Sequence, residues 1–197
     1  MFVGVAEGQP NPDAGKKTYA VCAGCHGFDG EGSALVNAPR LAGLEDWYLK
    51  RQMQNFADGI RGYLAGDTHG QRMAVMAGII RNERELDDLL AYVATLPPDR
   101  AAIARVAGGD SERGRQLYAI CAACHGVNGQ GTAALSAPGL AGLDDWYLSE
   151  QLRLYAEGLR GTHPADTLGQ QMRGLSASFA DAAARRDLAA FITALDR

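Results

Sequence analysis

Two five-residue segments hold the most reactive side chains of this chain: Cys22-Ala23-Gly24-Cys25-His26 and Cys121-Ala122-Ala123-Cys124-His125. Thiols three positions apart lie on one turn of backbone, matched to the two vinyl groups of a porphyrin, and the next imidazole projects towards the iron. That is the pattern of c-type haem attachment. It consumes all four cysteines, so no disulfide remains to be explained. A structural zinc site would gather pairs about 15 to 20 residues apart, whereas these pairs are 99 apart. A thioredoxin-like pair would need a βαβ setting, and the surrounding periodicity is helical. Each motif therefore predicts one covalent haem c, with His26 or His125 as proximal ligand.

The 99-residue offset runs through the chain without an insertion. Ala38-Pro39 recurs as Ala137-Pro138, Leu41 to Leu44 as Leu140 to Leu143, Asp46 to Leu49 as Asp145 to Leu148, Arg61-Gly62 as Arg160-Gly161, and Met73 as Met172. The reading is an all-α protein of two tandem units: a tail at 1–10, a first unit at 11–96, a linker at 97–109 and a second unit at 110–197. Pro97-Pro98 ends the first unit, because proline cannot continue a helix. In each unit, Asp13 or Ser111 is expected to cap a helix running into the cysteine motif. A second helix runs from about Glu45 to Gly59. A closing helix carries Leu86, Leu89, Leu90 and Val93, or Leu188, Phe191, Ile192 and Leu195. A glycine-rich loop is expected between the last two helices.

The sixth iron ligand decides between carrier and enzyme, because a methionine saturates the iron and an open position permits catalysis. The repeat supplies a test: a ligand should recur at offset 99. Met73 and Met172 do, whereas Met76 faces Leu175 and Met53 faces Leu152. Core packing is the ordinary use of a lone methionine, but the shared register favours ligation. His69 and His163, the other histidines, have no histidine at offset 99; they read as solvated loop residues, with bis-histidine ligation in either half as the alternative.

A proximal histidine usually donates its second ring N–H to a carbonyl or carboxylate. Pro39 and Pro138 are candidates to present that carbonyl, or are plain turn prolines. Leu41 and Leu140 would pack on the haem or in the core. Arg61 and Arg160 would either neutralise a buried propionate or cap the preceding helix in solvent. Tyr48 and Tyr147 offer hydroxyls to a propionate or to the other unit. Arg40 against Gly139, and Lys50-Arg51 against Ser149-Glu150, suggest that the two units face different partners.

A formal charge of −4 and the absence of basic runs remove the footprint of a nucleic-acid binder. No stretch reaches the roughly 18 apolar residues of a membrane span, which leaves room for peripheral membrane association only. The first residues, MFVGVAEGQPNPD, lack the pattern of a signal peptide.

The two Cys-x-x-Cys-His-Gly motifs, the Pro-x-Leu-Ala-Gly segments from Pro39 and Pro138, the Tyr-Leu-x-x-Gln segments from Tyr48 and Tyr147, and the methionines ahead of a closing helix with Ala91-Tyr92 or Ala190-Phe191 together resemble the dihaem cytochrome c4 family, tandem class I cytochrome c domains. The resemblance implies His/Met ligation of both irons by His26, Met73, His125 and Met172, and a proline carbonyl behind each proximal histidine. It also implies haems facing across the domain interface and a periplasmic electron carrier exported with a signal peptide absent from this chain. Its partners would be a dehydrogenase, an oxidase or another cytochrome, and no residue would be catalytic. The alternatives are the electron-transfer subunit of a dehydrogenase complex and a dihaem peroxidase or sulfur-compound oxidase.

Overall fold

The computed structural model describes residues 9–98 and 108–195. Most of the expected tail, and the expected linker apart from 97–98 and 108–109, lie outside the described residues. The first half holds α1 (Pro12–His26), α2 (Asp46–Ala57), α3 (Thr68–Ala77) and α4 (Glu83–Val93). The second repeats them as α5 (Ser111–His125), α6 (Asp145–Ala156), α7 (Thr167–Ser176) and α8 (Ala182–Thr193), with short 3₁₀ turns at Ala133–Leu135 and Ala177–Phe179. Among the described residues no strand forms, and the isolated bridges Ser33–Ala38 and Thr132–Ala137 sit at equivalent places.

Asn11 caps α1, accepting from the Asp13 and Ala14 N–H groups. Asp110 caps α5 through the N–H groups of Glu112 and Arg113. The caps therefore precede the expected Asp13 and Ser111. Pro12 fills the first helical position, where its missing N–H costs nothing, and Asp13 in the first turn complements the helix dipole instead.

The helix bearing the cysteines packs on the closing helix of its half, α1 on α4 and α5 on α8. A Cβ on Gly15 would lie 1.9 Å from the Asp88 carbonyl oxygen, and one on Gly114 would lie 2.0 Å from that of Asp187. The crossing is thus backbone on backbone, which a side chain at either glycine would prevent. Tyr19 meets Tyr92 at 5.2 Å between ring centroids, and Tyr118 meets Phe191 at 5.3 Å, tilted geometries that favour the ring quadrupoles. The core of half one gathers Tyr19, Ala42, Leu89 and Val93. That of half two is built on Tyr118, Phe179, Leu188 and Ile192.

The expected glycine-rich loop spans 58–67 in half one and 157–166 in half two, and between it and each closing helix a ten-residue helix forms that was not expected, α3 or α7. Asp67 starts α3 by accepting the Gly70 N–H at 2.8 Å, and Asp166 starts α7 through Gly169 at 2.9 Å. One capped N-terminus and packing against α2 or α6 hold segments that are marginal alone.

Candidate haem sites and the interface between the halves

His26 and His125, each 6 % exposed, are the last residues of α1 and α5. The chain then turns through Gly27 (φ 82°) and Gly126 (φ 81°), a conformation that glycine adopts without a Cβ clash. The following loop folds back: Gly32 N–H donates to the His26 carbonyl at 2.7 Å and Gly131 to that of His125 at 2.8 Å. Tyr19 and Tyr118 donate their hydroxyls to the Gly27 and Gly126 carbonyls, both at 2.7 Å.

This return brings Pro39 and Pro138 behind the imidazoles. His26 Nδ1 lies 2.7 Å from the Pro39 carbonyl oxygen, and His125 Nδ1 lies 2.8 Å from that of Pro138. A carbonyl only accepts, so Nδ1 carries the proton and the Nε2 lone pair is left for a metal. Burial holds both imidazoles below the usual histidine range, with the carbonyls opposing. The neutral form that binds iron is therefore the favoured one.

The four thiols are free; Cys22 and Cys121 are half-buried, Cys25 and Cys124 exposed. Burial raises Cys22, and burial followed by the neighbouring Cys124 pushes Cys121 up to about 11. An exchange-active Cys-x-x-Cys pair lowers its thiol pKa. Cys22 and Cys121 move the other way, which disfavours thiol–disulfide chemistry.

Met73 lies on α3 between buried Gly70 and Ala77 at positions i−3 and i+4, and so on the inward stripe of the helix. Met172 has the same relation to Gly169 and Ser176 on α7. Val75 and Ile79 occupy the outward side of the segment. Leu41 and Leu140 are partly buried and pack against the cores of their own halves. His163 is engaged at the interface, its ring 5.6 Å from that of Tyr63.

Arg61 and Arg160 are not solvated caps. They are 8 % and 7 % exposed and meet between the halves. Arg61 donates to Gln52 Oε1 at 2.6 Å and across the interface to Gln151 Oε1 at 2.9 Å. Arg160 mirrors this, to Gln151 at 2.5 Å and across to Gln52 at 2.9 Å. Each guanidinium stacks on an aromatic ring of its own half, Phe56 at 4.5 Å or Tyr155 at 4.6 Å. Burial would raise the Tyr48 phenol, but the Arg160 and Arg61 charges outweigh it and the phenol lies below its usual value. Tyr63 and Thr162, themselves 99 apart, share a 2.8 Å hydrogen bond. The sequence pointed to the arginines and tyrosines but not to Gln52 and Gln151, although both glutamines recur in the repeat.

The charge differences noticed in the sequence turn inward. Arg40 donates to the Gly142 carbonyl of the other half at 2.7 Å and to Pro98 at 2.6 Å. Arg51 stacks on Trp47 and reaches the Ser136 carbonyl at 3.0 Å. Where Arg40 has no counterpart, the Gly139 N–H donates to Glu45 at 2.8 Å. Lys50 pairs within its own half, with Glu83 and Asp87. These residues join the halves or brace one of them.

The family model for Cytochrome c matches residues 12–97 and again 111–196. The chain is 33 % identical to a cytochrome c4 of Azotobacter vinelandii, over 96 % of this chain and 90 % of the relative. The chain belongs to the dihaem cytochrome c4 family. A relative described as a thiosulfate dehydrogenase electron acceptor, from Stutzerimonas stutzeri, is 34 % identical over 86 % of this chain and 76 % of that one. The crystal structure of reduced cytochrome c4 from Pseudomonas stutzeri superposes with a TM-score of 0.72 at 26 % identity, covering 95 % of this chain and all of the other. A thiosulfate dehydrogenase structure from Marichromatium purpuratum gives 0.72 at 28 % identity, over 94 % of this chain but 40 % of that one. As a member of this family the chain is an electron-transfer cytochrome with two covalent haem c groups. The cradles fit them: paired free thiols, a fixed Nε2 lone pair, and buried guanidiniums whose Nε atoms have no hydrogen-bond partner.

Proposed function

We propose that this protein is a periplasmic electron carrier rather than an enzyme, with two class I domains at 11–96 and 110–197 joined by a linker at 97–109. In each, Cys22 and Cys25, or Cys121 and Cys124, hold the porphyrin. His26 and His125 ligate the irons, oriented by the Pro39 and Pro138 carbonyls. The bound haem supplies one reversible electron per iron. The residues around it do the rest: Leu41 and Leu140 pack each crevice, and Arg61 and Arg160 offer positive charge to the propionates through their unpaired Nε–H groups. Thioether attachment on an exported chain fits a periplasmic location. Among the described residues no helix is long and apolar enough to cross a membrane.

The observation that carries the carrier reading is the placement of Met73 and Met172 on the inward stripe of equivalent helices, which supports a saturated His/Met iron in both halves. Met73→Ala and Met172→Ala test it. Each variant should lose about half of the sulfur-to-iron charge-transfer absorption of the oxidised protein. A variant that keeps the full band overturns its own assignment.

A second reading, the electron-transfer subunit of a dehydrogenase, is favoured by the relatives described as thiosulfate dehydrogenase electron acceptors. Isolation from native periplasm separates the two, because a subunit co-elutes with a catalytic partner and a free carrier does not.

A further inference from the structure

The outer faces of the two halves differ at matched positions. On the loop after the first cysteine motif, Phe28 is 82 % exposed and Leu35 is 96 % exposed; Val127 and Ala134 hold these places in half two. On the outward side of α3 and just beyond it, Val75 and Ile79 are exposed, against Gly174 and Ser178. Charge differs as well: Asp29 and Glu31 stand opposite Asn128 and Gln130, and half two has Arg173 where half one has Ala74. Arg72 on α3 leaves the acidic character of half one on the loop side.

The fold imposes this display. The loop is closed on His26 through the Gly32 N–H and clipped by the Ser33–Ala38 pair, so Phe28 and Leu35 are held outward. Nor is acidity needed to build the turn. Glu31 Oε2 accepts the Asp29 N–H at 2.9 Å, and Gln130 Oε1 accepts the Asn128 N–H at 3.1 Å. An amide therefore closes the same turn in half two. Isolated apolar side chains on a surface need no explanation, and half two exposes Val127, Leu135 and Leu175 on the same segments; half one exposes the larger group there, adding an aromatic ring at Phe28 and the pair Val75 and Ile79 to Leu35 and Val36.

We propose that half one is the docking face for a redox protein whose contact surface is apolar and rimmed by lysine or arginine, and that the matching face of half two is not. The inference rests on the carrier reading and on Met73 placing α3 across the haem from the cysteine loop. Exposed aromatic and aliphatic side chains supply the contact that expels water. The acidic pair steers a basic rim onto it, acting mainly on the rate of encounter.

The test is stopped-flow oxidation of the reduced dihaem protein at low ionic strength. Tris(1,10-phenanthroline)cobalt(III) serves as an apolar cation and hexacyanoferrate(III) as an anionic control. The variant Phe28→Val/Asp29→Asn/Glu31→Gln/Leu35→Ala gives half one the residues that half two already folds with. It should slow the cobalt reaction roughly three- to tenfold, flatten its salt dependence and leave hexacyanoferrate no slower. The converse set, Val127→Phe/Asn128→Asp/Gln130→Glu/Ala134→Leu, should speed the cobalt reaction. A lysine-rich class I cytochrome c used as protein oxidant should give the same order. Unchanged rates, or equal slowing of both small oxidants, overturn the proposal. So does a wild-type dimer that the half-one variant dissociates, since the face would then bind a second copy. Haem content and reversible reduction of the wild type are measured first; their failure would sink the carrier reading instead.

Discussion

Replacing Gln52 by leucine should destabilise both halves at once. The Gln52 side-chain carbonyl accepts Arg61 of its own half at 2.6 Å and Arg160 of the other at 2.9 Å. Leucine fills similar space and accepts neither. Two donors on buried cations then lose their partner, at about 1–3 kcal/mol each. Added apolar burial offsets roughly 1 kcal/mol, for a net loss of about 1–5 kcal/mol. In a protein of this size that lowers Tm by roughly 2–20 °C. Thermal unfolding of the holoprotein, followed by Soret absorption and far-ultraviolet circular dichroism, measures it. Gln151→Leu should match within about 1 kcal/mol, because Gln151 makes the mirror-image pair of bonds. The reasoning fails if either variant is neutral, or if Gln52→Leu melts half one early and leaves half two untouched. The second outcome would mean that the guanidiniums do not bind across the interface.

Other consequences can be checked separately. Gly114→Ala drives a Cβ to within 2.0 Å of the Asp187 carbonyl oxygen; it should cost more than about 2 kcal/mol in denaturant titration, as should Gly15→Ala. Asn11→Ala removes the cap of α1 and should cost about 0.5–2 kcal/mol in the same assay. Burial, then the neighbouring Cys121, raises the Tyr118 phenol to about 12. The neutral phenol is thus favoured in the fold, and its contribution is complete below pH 10 and disappears as pH rises from 10 towards 12. Tyr118→Phe should weaken the protein at neutral pH, through loss of the bond to Gly126, yet flatten the alkaline fall in stability. Pro138→Gly should loosen the carbonyl behind His125 and broaden the electron paramagnetic resonance signal of the second haem, leaving that of the first unchanged.

What the sequence disclosed follows from how tightly each feature is constrained. Thioether spacing is covalent, so two short motifs named the cofactor, and a gap-free offset paired every later residue with its twin. The same offset singled out Met73 and Met172, and the Pro39 and Pro138 carbonyls lie behind the imidazoles as expected. Helices α3 and α7 were missed because ten residues make fewer than three turns, and the Asp67 and Asp166 caps that start them stand among loop-forming residues. Pairwise geometry was illegible too. Arg40 and Arg51 read as outward markers because composition gives a charge but not the carbonyl it will meet, and those carbonyls belong to the other half. Gln52 and Gln151 recurred and closed the Tyr-Leu-x-x-Gln segments, but neither fact disclosed their contacts, since an amide's partners become visible only when two guanidiniums share it.

The contact of α1 with α4 at Gly15, and of α5 with α8 at Gly114, bears on how smoothly electrons pass. A centre that repeatedly gains and loses a unit of charge works fastest when its surroundings need not rearrange, as fixed dipoles stabilise charge without reorganisation. Where Gly15 and Gly114 cross, main chain lies against main chain and no side-chain rotamer intervenes; beyond the crossing, packed aromatic rings fill the seam. Little at that crossing can relax when the oxidation state changes, and the repetition places the same crossing in both halves.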